Sequence, residues 1–181
     1  GAGWARGILF NDELRLQFSD FFARPDSFAL GVCNGCQMLA ALKELIPGAE
    51  QWPSFEKNES EQYEARQVMV EVLASDSVLL AGMEGSYLPI AVAHGEGRAT
   101  FESNVELKHL ADNNQTGLRY LDNRDQSTLI YRYNSNWFTK GIARLTAANA
   151  RFTIMMPHSE LAFLKSLNLC HLVHISISYH L

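Results

Sequence analysis

The stretch Gly31-Val32-Cys33-Asn34-Gly35 holds the residue types best suited to chemistry. A cysteine set between two glycines has the form of a strand-to-helix elbow, where glycine lets the backbone pass close by and a strained turn lifts the central side chain out of the sheet. A thiol placed there meets the unbonded N–H groups at the start of the following helix, which favour thiolate over thiol relative to a reference pKa of about 8.5. The same end of the helix suits a developing oxyanion. The backbone N–H of Asn34 is one expected donor, and the second must come from another loop, ~3 Å from the reacting oxygen. The chemistry would be attack by sulfur on an acyl or amide carbon.

Other readings of these residues stay open. Free cysteine is among the most buried residue types, so Cys33 after an apolar run also reads as packing. Cys33-Asn34-Gly35-Cys36 is formally a Cys-x-x-Cys, which makes a redox pair or half of a zinc site. No second such pair occurs, and Cys170 lies far along the chain. A thiol nucleophile needs a base that also protonates the leaving group, and the base needs an orienting partner. Of the six histidines, His158 follows the apolar run Phe152 to Met156, and Pro157 breaks that run so that the next side chains leave the sheet at its edge. Glu160, two residues on, is placed to accept a hydrogen bond from the ring. His94 in His94-Gly95-Glu96-Gly97-Arg98 is a rival on a tight loop. His94 and Glu96 lack a third ligand at recognisable spacing, so no metal site is expected. His109, His171, His174 and His180 read as solvated.

These residues must be carried by particular elements. Asn11 or Asp12 caps a helix in which Leu14, Phe18, Phe21 and Phe22 form one apolar stripe, and Arg24-Pro25 stops it. Ser27 to Val32 reads as a strand buried on both faces, and Cys36 to Ile46 as a helix ended by Pro47-Gly48. Trp52 to Glu64 reads as a solvent-exposed loop. Strands are predicted around Val68 to Val72, Leu88 to Ala93, Leu118 to Leu121, Thr128 to Tyr133, Ile142 to Leu145 and Phe152 to Met156. Helices beside a strand-rich middle predict an α/β layered sheet of mixed direction, because several strands follow one another without a crossover helix. Val173 to Leu181 alternates apolar and polar residues as a half-buried strand would.

The bulk properties agree with this class. The chain has 181 residues, 47% hydrophobic and 19% charged, with a net charge of −5. One domain with a real core fits that length. Scattered basic residues in an acidic chain argue against nucleic acid as a partner. No apolar run approaches the roughly 20 residues that a membrane helix needs. Three cysteines are too few for a secreted disulfide framework, which favours a reducing, cytoplasmic location. The opening Gly1-Ala2-Gly3-Trp4 reads as a glycine-rich loop with no Met, and the expectation is a fragment.

Gly31-Val32-Cys33-Asn34-Gly35-Cys36-Gln37 resembles the Gly-x-Cys-x-Gly-x-Gln signature of the class I glutamine amidotransferases. The resemblance extends through Gly3-Trp4-Ala5, Ile8-Leu9-Phe10-Asn11, Glu44 to Gly48, Ala91 to Arg98, Arg119-Tyr120, Asp122-Asn123 and Thr153 to His158, and points to members serving purine synthesis. It implies a three-layer, flavodoxin-like α/β fold with a mixed, mostly parallel central sheet whose first strands are missing. Residues 1–164 would form a partial glutaminase domain and 165–181 a divergent tail. The resemblance further implies that Cys33 attacks the side-chain amide of L-glutamine, that His158 shuttles protons, that Glu160 orients it, and that Gln37 lies near the substrate. Asn34 and, more weakly, His94 would serve the oxyanion or the substrate. No cofactor is implied in this domain; ATP and Mg belong to a synthetase domain of the same protein that receives the ammonia. The chain departs from the family in two places. Ser159-Glu160-Leu161 stands where the family has Pro-Glu-Arg, keeping the spacing of His158 and Glu160. Trp137-Phe138-Thr139 replaces Gly-Ser-Pro, which a one-base frame change in the coding sequence would produce, and a second would explain the unlike tail. The alternatives are a thiol-redox or cysteine-sensor module using Cys33 and Cys36, and a non-catalytic remnant of the fold.

Overall fold

A computed structural model describes residues 1–124, 126–128, 130, 133, 134 and 141–162. The alternating tail, Cys170, His171, His174, His180 and Trp137 to Thr139 lie outside the described residues, as do three of the six residues of the strand expected at 128–133. Helix α1 spans Ala2–Leu9 and α2 spans Asp12–Ala23. The glycine-rich opening is therefore helical, and not the loop expected. Ala5 and Ile8 supply its buried positions, while Gly3 and Gly7 face open space. Asn11 caps α2 as its sequence predicts, accepting a hydrogen bond from the Leu14 N–H at 3.0 Å. The stripe of α2 turns inward at Phe22, whose ring meets Phe152 edge-on at 5.2 Å.

Strand β1 (Ala29–Val32) leads directly into α3 (Asn34–Ala41), and a 3-10 turn at Lys43–Leu45 completes the segment read as one helix. Then come β2 (Ser54–Glu56), β3 (Glu64–Val72), β4 (Tyr87–His94), β5 (Arg98–Thr100), α4 (Asn104–Asp112), β6 (Thr116–Leu121), β7 (Ile142–Thr146) and β8 (Phe152–Met155). Among the described residues the main sheet runs β1-β8-β7-β6-β3-β4, with β2 and β5 forming a small antiparallel pair beside it.

The sheet is mixed, as expected, but the expected majority of parallel strands is corrected. Among the described residues only β1 and β8 pair in parallel; the other four ladders of the main sheet are antiparallel. Parallel neighbours require a crossover of a dozen or more residues. The join from β7 to β8 is a short turn, and the longer segment between β3 and β4 carries only a 3-10 turn at Val78–Leu80, so both reverse the chain instead. One face packs against α1 to α4 through Ile8, Phe22, Leu39, Leu110, Phe152 and Ile154. The other buries Val68, Val70, Ile90, Val92 and Leu118, covered by Leu80 and Met83 from the segment between β3 and β4.

The polar stretch 52–64 is likewise not a wholly exposed loop. Trp52, Asn58 and Glu64 are buried, and Phe55 pairs opposite Ala99 in the β2–β5 ladder. A short helix, α4, occupies the segment that carries His109, whose side chain is exposed as read. No described helix is long and apolar enough to cross a membrane.

Candidate active site

Cys33 stands between the last residue of β1 and the first of α3, with φ +50° and ψ −106°. A non-glycine residue is uncommon at positive φ, and such strain persists only where the surroundings enforce it. The enforcement is visible. A Cβ on Gly31 would lie 2.6 Å from the Gly35 carbonyl oxygen and 2.8 Å from its carbon, so only glycine lets the turn fold back over the strand. Gly35 has open space at its own Cβ position. The two glycines are thus unequal: Gly31 is required by close approach, and Gly35 supplies the backbone that comes close. Gly31→Ala is expected to destabilise the protein by about 2–3 kcal/mol, because the clash is with backbone that cannot rotate away. A denaturant melt of the full-length protein measures this.

Parallel pairing brings the candidate base, His158, to the same end of the sheet. Val32 lies in register with Met155, and the Cys33 N–H donates to the Met155 carbonyl at 2.9 Å. His158 follows three residues later, after Pro157 has ended β8. It lies beside β4 through a bridge to Ala91, whose carbonyl accepts the His158 N–H at 2.7 Å. The Cys33 thiol donates to the carbonyl of Ala93 at 3.6 Å. Two successive same-edge carbonyls of one strand, about 7 Å apart, therefore receive the Cys33 thiol and the backbone of His158.

Glu160 Oε1 and His158 Nδ1 are 2.5 Å apart. A carboxylate can only accept, so Nδ1 carries the proton, and Nε2 is left with the lone pair a base needs. Burial pushes the Cys33 thiol above its ordinary value; the Asn34 backbone N–H pulls the other way, and the Glu160 carboxylate pushes it up again. Cys33 therefore rests as a half-buried protonated thiol, not a standing thiolate.

The other candidates are placed as follows. Asn34 is exposed at the start of α3 with its N–H toward the sulfur. Gln37, one turn on, donates its amide to the Glu96 carbonyl at 2.5 Å and so ties α3 to the loop after β4. His94 is only 2% exposed, and its ring is turned into that loop against Asn58 and Gly97. It contributes to the loop's interior and not to an open surface. Cys36 is fully buried in the core beneath α3, where burial pushes its thiol well up. Among the described residues no group of three His, Cys, Asp or Glu side chains gathers to hold a metal ion.

Comparison with known proteins matches residues 1–171 to the CobB/CobQ-like glutamine amidotransferase domain. The chain belongs to that family. The domain also shares its fold with a solved structure described as PurLQS from Thermotoga maritima, at a TM-score of 0.64 and 20% sequence identity. That match covers 90% of this chain and 65% of the other, so the amidotransferase domain spans about two-thirds of that relative's length. The class I amidotransferase resemblance in the sequence, and the α/β fold it implies, agree with both findings.

Sequence reasoning missed Asn58 and the carbonyls of Ala91 and Ala93. Backbone acceptors leave no trace in residue type. Asn58 sat in a polar run, Lys57-Asn58-Glu59-Ser60, that composition assigns to solvent.

Proposed function

We propose that this domain is the glutaminase part of phosphoribosylformylglycinamidine synthase. In this reading Cys33 attacks the side-chain amide carbon of glutamine, and His158 takes the thiol proton. The tetrahedral intermediate collapses to a γ-glutamyl thioester as His158 returns that proton to the departing ammonia. Water, with its proton drawn to His158, then releases glutamate. Glu160 holds the imidazole in the Nδ1–H form throughout. The ammonia passes to a synthetase domain of the same protein, which uses ATP with Mg to convert formylglycinamide ribonucleotide to its amidine, in the cytoplasm. The observation that carries the chemistry is the strained Cys33 at the same sheet end as the His158–Glu160 pair, joined by the β1–β8 register. The purine assignment rests on the sequence pieces from Gly3-Trp4-Ala5 to Met155-Met156-Pro157-His158, which resemble that synthase's glutaminase domain, with the likeness in fold to PurLQS in support.

The test is covalent labelling of the full-length protein by a chloroketone analogue of glutamine. One adduct, mapped to Cys33 and suppressed by excess glutamine, is the expected result; a label that persists in Cys33→Ala overturns the reading. Cys36→Ser separates it from a redox pair. The buried hydroxyl is expected to cost roughly 1–3 kcal/mol of stability, with Cys33 labelled as before. A redox module would lose its function in that variant.

A further inference from the structure

Asn58 is 2% exposed, and every hydrogen-bonding site of its side chain is in use. Its Oδ1 accepts from the Gly97 N–H at 3.0 Å and lies 2.9 Å from His94 Nδ1. Its Nδ2 donates to the carbonyls of His94 at 2.7 Å and Gln62 at 2.9 Å. An asparagine amide offers two donors and one oxygen with two lone pairs, so these four bonds saturate it. Because Nδ2 is occupied by two carbonyls, the atom facing His94 is the oxygen, and Nδ1 of His94 must be its donor. The Asn58 backbone N–H adds a fifth bond, to the Gly95 carbonyl at 3.0 Å.

All but one of these bonds end on the four residues 94–97. That loop touches the nucleophile's elbow at both of its ends. Immediately before it, the Ala93 carbonyl accepts the Cys33 thiol; near its far end, the Glu96 carbonyl accepts Gln37. Gln37 in turn lies one helical turn past Cys33, its N–H bonded to the Cys33 carbonyl at 3.1 Å. Gly97 completes the packing, since a Cβ there would fall 2.2 Å from the His94 ring. The loop is thus fixed by Asn58 and by Gln37, and it follows directly on the carbonyl that meets the sulfur.

We infer that Asn58 is a positioning residue, holding the 94–97 loop as the wall against which the acyl donor is seated beside Cys33. The inference rests on the thioester reading of Cys33 and extends it to a side chain that touches no reacting atom. A residue of this kind governs how well the donor is seated and leaves the proton transfers to His158. Its loss therefore shows in the binding constant before it shows in the rate of the bound complex.

The experiment titrates the chloroketone analogue against the full-length protein, separating its inhibition constant KI from the limiting inactivation rate. Asn58→Ala is expected to raise KI by roughly tenfold or more while the limiting rate stays within about threefold. Asn58→Asp keeps the side chain's shape and its two accepted bonds but sets oxygen against the carbonyls of His94 and Gln62. It is expected to raise KI as well, and it decides the matter if the alanine variant does not fold. An unchanged KI in a folded variant overturns the inference, as does a fallen limiting rate at unchanged KI, which would put Asn58 in the chemical step. If the wild-type protein takes no label, the thioester reading falls and this inference with it. Wild-type labelling with KI unmoved by Asn58 sinks the inference alone.

Discussion

In the Cys33→Ala protein, glutamine-dependent turnover of the full-length enzyme is expected to fall by roughly four to six orders of magnitude, while turnover supplied with ammonia stays near wild type. The size follows from the role. A residue that forms the covalent intermediate cannot be replaced by a weaker version of itself, and losses of about that scale accompany removal of a nucleophile that works as a unit with its base. The selectivity follows from the architecture. Cys33 is carried by the β1–α3 elbow, whose strain is enforced by Gly31 against Gly35, and alanine at position 33 fits that turn no worse than cysteine. The fold should therefore survive, and a separate synthetase site would use external ammonia without this domain's chemistry. Steady-state assays with each nitrogen source, together with a melt of the variant, measure the outcome. Equal loss with glutamine and ammonia would mean that the substitution had damaged the assembly and not the thioester step.

The elbow was legible in the sequence because it depends on residue type at fixed spacing. Glycine at position 31 is dictated by a 2.6 Å approach, so its identity is information. The capped helix α2 was legible for the same reason: Asn11 is there for one hydrogen bond and Phe22 for one pocket. His158 with Glu160 could be read because Pro157 ends β8 and the two residues are near neighbours in the chain. Three features were hidden. The direction of the strands depends on which segments pair over long range, and β1 meets β8 across some 120 residues of intervening chain. The helical character of Ala2–Leu9 was masked by Gly3 and Gly7, whose low helix propensity is overridden by the packing of Ala5 and Ile8. Asn58 was hidden deepest. A saturated buried asparagine and a solvated one have the same letter, and only the backbone groups of residues 94–97, brought there by β4, tell them apart.

His158→Ala is expected to slow labelling of Cys33 by roughly a thousandfold near pH 7 and to change the shape of its pH profile. The direction follows from the state of the thiol. Burial holds Cys33 above its ordinary value, so the acid form predominates at neutral pH. In the wild-type protein attack must then proceed as neutral His158 draws off the proton. The rate should therefore depend on pH less steeply than thiolate chemistry does, because the side chain at 158 removes the proton during the attack. Without His158 only the small thiolate fraction reacts. The variant's rate should climb about tenfold per pH unit and keep climbing beyond the ordinary thiol range, because burial holds the ionisation of Cys33 above it. The two profiles converge at high pH, so the deficit of the variant shrinks as pH is raised. Glu160→Gln should sit between them. An amide can still accept from Nδ1–H but brings no charge to steady the imidazolium that forms during attack, so the rate falls. Parallel profiles for wild type and His158→Ala, offset by a constant factor at every pH, would show that position 158 moves no proton at the sulfur, and the assignment of the base would have to be abandoned.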